Sequence, residues 1–302
     1  MSAPYAWTTH ASPTALADTL ADRVAEALGA AITARGAATL AVSGGTTPVR
    51  FFRALATRDL DWSSITVTLV DERFVPPDSP RSNERLVRDN LLQGKAAHAR
   101  FISFTLPAAI HPPDPPPPLV APPPLVAPPP LTPPHKGERG ADASESPSPL
   151  WGGVRGGGQP PDQSASTTTP PSPEHAARAV SASLAKLPLP FDVVVLGMGT
   201  DGHTASFFPD ADGLDTLLDP AAEDLVLPVH ARSAGEPRLT LSLPAIAGAR
   251  MLALHIEGEG KRGAFEAAFA SEARPAKPIR TVIEASHARP TIFWAPSEGT
   301  EP

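Results

Sequence analysis

Proline is the feature that most restricts how this chain can fold. The 302 residues include 40 prolines, and these crowd into one stretch, from about Pro107 to Pro173. Within it lie two tandem copies of Pro-Pro-Pro-Leu-Val-Ala, at 116–121 and 122–127, and a Gly-rich run at 152–158. Proline fixes φ and donates no N–H, and glycine loses much entropy when ordered, so the stretch can supply neither sheet nor helix. Polyproline II or disorder is the expectation. The chain therefore reads as a single α/β domain built from residues 1–106 and 174–302, interrupted by a low-complexity insertion at 107–173. Setting the insertion aside leaves about 235 residues, an ordinary size for one domain.

The genetic code adds an observation about that insertion. The degenerate codons of Pro128–Glu138, reverse-complemented and read one base out of register, are compatible with Ser148–Gly158 in full. The match fails immediately outside both ends. An inverted repeat in the coding DNA, landed in frame, is the hypothesis this suggests, and arms that do not pair in the gene would end it. The rival reading is a proline-rich ligand for a partner domain.

With no cysteine in the chain, disulfides, thiolate metal sites and a cysteine nucleophile are excluded. A net charge of −7 argues against a nucleic-acid or membrane-surface role. The N-terminus lacks a basic segment followed by an apolar run, and no stretch of about 18 apolar residues could span a bilayer. The expectation is a cytoplasmic protein, a monomer or small homo-oligomer.

Outside the insertion, apolar runs alternate with helical patterns. Helices are predicted at 11–34, from Pro48 to about Arg58, from Ser82-Asn83 to Leu92, at 174–187 and at 261–270. Strands are predicted at 39–42, 65–70, 101–104, 191–196, 225–229, 238–241, 251–256 and 291–294. Such alternation predicts a mostly parallel, Rossmann-like sheet flanked by helices. Each polar or Gly-rich motif follows a strand, and open α/β sheets bind ligands beyond the carboxyl ends of their strands.

Three motifs carry chemistry. Ser43-Gly44-Gly45-Thr46-Thr47 lies between a strand and Pro48. Its glycines admit an anion close to the backbone, and the helix start offers free N–H groups. It is neither a nucleotide P-loop nor Gly-x-Gly-x-x-Gly, and an ordinary tight turn is the plain alternative. Asp71-Glu72-Arg73 ends a hydrophobic strand. That could be a solvated strand end, or Arg73 could hold an anion through its planar fork, oriented by Asp71. Gly197-Met198-Gly199-Thr200-Asp201-Gly202-His203 follows an apolar strand and places an imidazole on a sharp loop, where it suits general-base activation of water. Arg238 opens a strand, and Lys261 begins a helix, where a cation opposes the macrodipole unless an anion shares the place. Neither His-Glu-x-x-His nor Gly-x-Ser-x-Gly occurs, so no metal is expected and water is the simpler nucleophile.

Taken in order, Leu-Ala-Val-Ser-Gly-Gly-Thr-Thr-Pro (40–48), Val-Asp-Glu-Arg-Phe-Val-Pro-Pro-Asp-Ser-Pro-Arg-Ser-Asn (70–83), Leu-Gly-Met-Gly-Thr-Asp-Gly-His-Thr-Ala-Ser-Phe-Phe-Pro (196–209) and Arg-Leu-Thr-Leu-Ser-Leu-Pro (238–244) resemble the 6-phosphogluconolactonase family. The resemblance runs from the N-terminal helix to about Trp294, apart from the insertion. It implies hydrolysis of 6-phospho-D-glucono-1,5-lactone in the oxidative pentose phosphate pathway, without a cofactor. It also implies a fold shared with glucosamine-6-phosphate deaminases and ribose-5-phosphate isomerase. On matching positions it makes His203 the general base, with Arg73 and Asp71 at the lactone, and gives the phosphate to Ser43, Gly44, Gly45, Thr46, Arg238 and Lys261. The partner so implied is a small sugar-phosphate lactone. The rival readings are a deaminase or isomerase on the same scaffold and a sugar-phosphate sensor without catalysis.

Overall fold

The computed structural model describes residues 3–105, 172–270 and 277–298. The insertion expected at 107–173, with its repeats, lies almost wholly outside the described residues. Ten strands and eight α-helices occur among those residues: β1 (Ala6–Thr9), α1 (Pro13–Arg35), β2 (Ala38–Val42), α2 (Val49–Ala56), β3 (Ile65–Leu69), β4 (Asp71–Arg73), α3 (Asn83–Asn90), β5 (Arg100–Ile102), α4 (Pro173–Leu184), β6 (Val193–Leu196), α5 (Leu214–Leu217), β7 (Val226–Val229), β8 (Arg238–Leu241), α6 (Leu243–Ala247), β9 (Met251–Glu257), α7 (Glu259–Ala270), α8 (Pro278–Ala285) and β10 (Thr291–Ala295).

Seven strands form one sheet in the order β1-β10-β9-β6-β2-β3-β5, and every pairing in it is parallel. The inner strands explain themselves. Ala38–Val42 and Val193–Leu196 are apolar apart from Thr39, and every residue of both is buried, as a strand covered on two faces requires. The chain runs outward from β2 through β3 to β5, then returns to lay β6 against the other side of β2 before continuing to β9 and β10. The carboxyl ends of β2 and β6 therefore flank the switch point of the sheet, where an open α/β fold leaves a crevice.

The helix α1 shows the local rules at work. Ser12 Oγ caps the amide of Ala15 at 3.2 Å, Pro13 occupies the first turn, and Gly36 closes the helix at φ 75° with its N–H on Ile32 O at 2.7 Å. These are the caps its sequence offers. Leu16, Leu20, Val24 and Leu28, at helical spacing, are fully buried.

Two expectations about strands need correction. The predicted strands at 225–229 and 238–241 do not join the parallel sheet. They pair with β4 in a separate antiparallel sheet of order β4-β8-β7. Val70 is the joint: its N–H bonds Val42 O at 2.9 Å in the first sheet, and its carbonyl accepts from Leu241 N at 2.7 Å toward the second. Asp71-Glu72-Arg73 is accordingly a strand of its own, with Asp71 and Glu72 buried rather than solvated. The edge strand β1 and the helix α8 had no counterpart in the sequence reading.

Candidate active site

A cavity of about 410 Å3 opens at the switch point, within the usual range of small-molecule sites, roughly 300–1,000 Å3. All nine site residues read from the sequence line it: Ser43, Gly44, Gly45, Thr46, Asp71, Arg73, His203, Arg238 and Lys261. Asn83, Phe208 and His255 line it as well, and these the sequence reading had not singled out.

Two Gly-rich loops leave the adjacent strands β2 and β6. They are tied at the root, where Ser43 N–H donates to Val195 O at 3.0 Å. In the first loop Gly44 is required by close approach, because a Cβ there would fall 1.9 Å from Asn83 Oδ1. Gly45 takes φ 97°, a left-handed geometry that glycine adopts freely. The helix α2 then begins without a side-chain cap, so its first-turn amides remain available to an anion. At its side Lys261 Nζ donates to Thr47 Oγ1 at 3.1 Å. Burial lowers the Lys261 pKa from its usual range, an effect that the Glu257 carboxylate opposes.

The second loop holds the imidazole. His203 Nδ1 lies 2.7 Å from Asp201 Oδ1, and the same oxygen accepts from His203 N at 3.2 Å. A carboxylate only accepts, so Nδ1 carries a proton and the lone pair of the neutral ring belongs to Nε2. Nε2 has no hydrogen-bond partner among the described residues. The ring rests on Phe208, centroids 4.6 Å apart. Gly199 leaves room for it, since a Cβ there would sit 2.3 Å from the ring's Cε1 and Nδ1. Gly197, Gly199 and Gly202 carry the spacing of a dinucleotide fingerprint, but that cradle needs a helix to start at once. Here the loop folds back instead, with Gly199 N on His203 O at 2.9 Å, and the next helix is the short α5.

The antiparallel sheet supplies the cationic wall. Arg73 and Arg238 stand directly opposite each other in the β4–β8 register. Like charges so placed repel. Burial, chiefly, lowers the Arg238 pKa, and the Arg73 charge adds to that while Asp71 opposes it. Arg238 lies over the Phe208 ring at 5.6 Å, so one aromatic side chain supports both this guanidinium and His203. Asp71 is fixed by the Ser206 hydroxyl, which donates to Oδ2 at 2.7 Å.

Glu72 anchors this wall from behind. Its carboxylate accepts from Arg73 N at 2.7 Å, Asn83 N at 2.8 Å, Glu84 N at 2.8 Å and Ser82 Oγ at 2.9 Å. It thereby seals the start of α3 and fixes two cavity residues together. Burial raises its pKa, and these four donors counter the shift.

Six buried side-chain atoms lack a hydrogen-bond partner among the described residues: Ser43 Oγ, Arg73 Nε, Asn83 Oδ1, Arg238 Nε, Ser242 Oγ and His255 Nδ1. Five belong to residues that line this one cavity. Buried polar atoms are ordinarily satisfied, so their concentration here, donors and acceptors together, marks a place completed by a polar ligand. No group of three or more His, Asp or Glu side chains suited to a metal ion occurs among the described residues, and no helix among them is long and apolar enough to cross a membrane.

Comparison with known proteins identifies the family. Residues 11–115 and 158–294 match the family model described as glucosamine-6-phosphate isomerases/6-phosphogluconolactonase. The chain is 45% identical to a 6-phosphogluconolactonase of Mesorhizobium japonicum, over 97% of this chain and 97% of that protein. It is 43% identical to one of Rhizobium meliloti, over 94% and 96% respectively. Among solved structures, a 6-phosphogluconolactonase from Shewanella baltica superposes with a TM-score of 0.72 at 32% identity, covering 96% of this chain and 97% of that one. The chain belongs to the glucosamine-6-phosphate isomerase/6-phosphogluconolactonase family.

Proposed function

We propose that this chain hydrolyses 6-phospho-D-glucono-1,5-lactone to 6-phospho-D-gluconate, with His203 as general base, in the cytoplasmic oxidative pentose phosphate pathway. The observation that carries the proposal is the imidazole itself: Asp201 holds Nδ1, and the ring lines a cavity whose cationic wall has unpaired N–H groups. Relatives named 6-phosphogluconolactonase at up to 45% identity support the substrate.

The phosphate is held by the Ser43–Thr46 loop, the amide-rich start of α2, Lys261 and Arg238, which fixes the lactone ring and turns binding into orientation. His203 Nε2 takes a proton from water, and the oxygen attacks C1. Arg73, its backbone held by Glu72, stabilises the oxyanion that forms. Collapse breaks the bond from C1 to the ring oxygen. The imidazolium returns its proton to that oxygen, which leaves as the C5 hydroxyl, and the new carboxylic acid ionises.

The test is hydrolysis of freshly generated lactone at slightly acidic pH, where the spontaneous background is low. Wild type is expected to turn over rapidly, and His203→Ala to lose about 100-fold or more. A folded wild type without turnover would move the reading to an amino-sugar phosphate deaminase, an isomerase or a sensor, with glucosamine 6-phosphate the next ligand tried.

A further inference from the structure

His255 sits in the apolar strand Met-Leu-Ala-Leu-His-Ile-Glu, 2% exposed, yet its side chain lines the cavity. Its Nε2 lies 3.1 Å from Glu257 Oε1, two residues on and so on the same face of the strand. Glu257 is held in turn by Arg50, whose Nη1 is 3.9 Å from the other oxygen. Phe51 meets the imidazole edge-on, ring centroids 6.3 Å apart. Because a carboxylate only accepts, Nε2 carries the hydrogen and Nδ1 presents a bare lone pair. That atom has no protein partner among the described residues. Burial, first, and the Lys261 charge, last, lower the His255 pKa, while the hydrogen bond and charge of Glu257 oppose the shift.

A buried acceptor of this kind needs a donor, and the candidates are few. The Lys261 ammonium donates to Thr47 and makes no hydrogen bond to Nδ1. A phosphate dianion has no proton to offer, and its oxygens would repel the lone pair. What remains is a hydroxyl hydrogen on whatever enters the cavity. We infer that His255 is a specificity-determining residue, whose Nδ1 accepts a hydrogen bond from a hydroxyl group on the carbon chain of the bound sugar phosphate. The assignment rests on the reading of the site as one for a phosphorylated polyhydroxy acid or lactone. It makes Lys261 and the glycine loop the readers of charge, and His255 a reader of hydroxylation.

Calorimetric titration separates these roles with three probes: 6-phosphogluconate, the hydroxyl-free 6-phosphohexanoate and inorganic phosphate. His255→Phe removes the acceptor and keeps an aromatic ring beside Phe51, and His255→Leu serves the same purpose should the Phe variant fail to fold. Either is expected to weaken 6-phosphogluconate about tenfold, the effect of one lost hydrogen bond to a buried group, and to leave the other two probes within about twofold. His255→Asn, which puts an amide oxygen near the place of Nδ1, is expected to recover most of the loss. Unchanged affinity for 6-phosphogluconate, or an equal fall for all three probes, overturns the inference. A wild type that binds 6-phosphogluconate but turns over no lactone breaks the hydrolase reading and leaves this comparison intact. A wild type that binds none of the probes breaks both.

Discussion

The two ends of the parallel sheet treat buried polar groups in opposite ways. At the amino ends, Asp192 immediately precedes β6 and is 4% exposed. It accepts from Thr39 N at 2.9 Å and Thr39 Oγ1 at 3.2 Å, pairs with Arg35 at the end of α1, and meets Arg250 at 3.4 Å. Thr39 returns the bond, accepting from Asp192 N at 3.0 Å. At the carboxyl ends, Ser43 and His255 on the same sheet each leave an atom without a partner, as do Arg73, Asn83 and Arg238 beside it. The same strands thus carry a finished polar network below and an unfinished one above. A finished network is a stability device, and an unfinished one is a binding device whose last partner arrives from solution.

The sharpest break in that comparison should come from Asp192→Ala. It orphans the Thr39 amide and leaves Arg35 and Arg250 without their anion, so about 3 kcal/mol of stability should be lost, as for other disrupted buried networks. Urea denaturation measures it, and activity per folded molecule should hold. A stable variant with lost activity would mean the two ends are not separate.

Gly199→Ala probes the upper end with the opposite signature. The methyl would collide with the His203 ring and also fall 2.5 Å from Asp201 Oδ1. Displacing an imidazole by about an ångström should lower turnover by roughly 100-fold. The melting temperature should fall little, because the ring can swing into the cavity. Turnover near wild type would show that the base sits elsewhere.

Arg238→Gln should weaken 6-phosphogluconate binding by about tenfold, the loss of one charge-assisted contact. Stability, however, should change little, since relief of the repulsion with Arg73 across β4–β8 is offset by loss of the Glu236 ion pair and of the Asp71 attraction. A thermal melt alongside the titration checks both. A large drop in melting temperature would make Arg238 part of the scaffold rather than of the unfinished wall.

How much of this was legible beforehand depended on whether function followed a local pattern. The loops after β2 and β6 were legible as candidates, because a Gly-rich segment after an apolar strand is either a tight turn or a ligand loop, and both fell at the switch point. Lys261 was visible as a cation at the wrong end of a helix. The antiparallel sheet was not legible, because it depends on Val70 turning the chain between two sheets, a contact with residues 42 and 241 that no local pattern encodes. For the same reason the burial of Asp71 and Glu72 was not legible, although four donors meet the Glu72 carboxylate. Phe208 and Asn83 lay inside recognised motifs, but the Phe208–His203 ring contact depends on how the loop folds back, and the Asn83–Gly44 approach is tertiary. His255 did leave a signal that went unread: a lone polar residue within an apolar strand, with Glu257 two positions on and therefore on the same face.

That residue also gives the smallest effect and the finest test of the contrast. The folded protein holds the His255 pKa below the ordinary imidazole range. As pH falls through that range, the unfolded chain takes up a proton at this position and the folded chain does not. The unfolded state therefore binds more protons, and stability must fall on the acid side. The stabilising contribution is fully present above the unfolded pKa and is lost as pH drops below it, by at most about 1.4 kcal/mol per pH unit for one group. Charged groups near the ring, Glu257 and Lys261, are unchanged in His255→Phe. His10 remains too, its pKa lowered by burial first and by His255 second, so the variant should retain a shallower acid loss of its own. Urea denaturation of both proteins between about pH 7.5 and 5.5 should show the steeper decline in wild type. A shallower decline in wild type than in the variant would mean that His255 is already protonated in the fold, with its Nδ1 a donor rather than a lone pair. The upper end of the sheet would then hold one more cation, and the hydroxyl it was to read would need another acceptor.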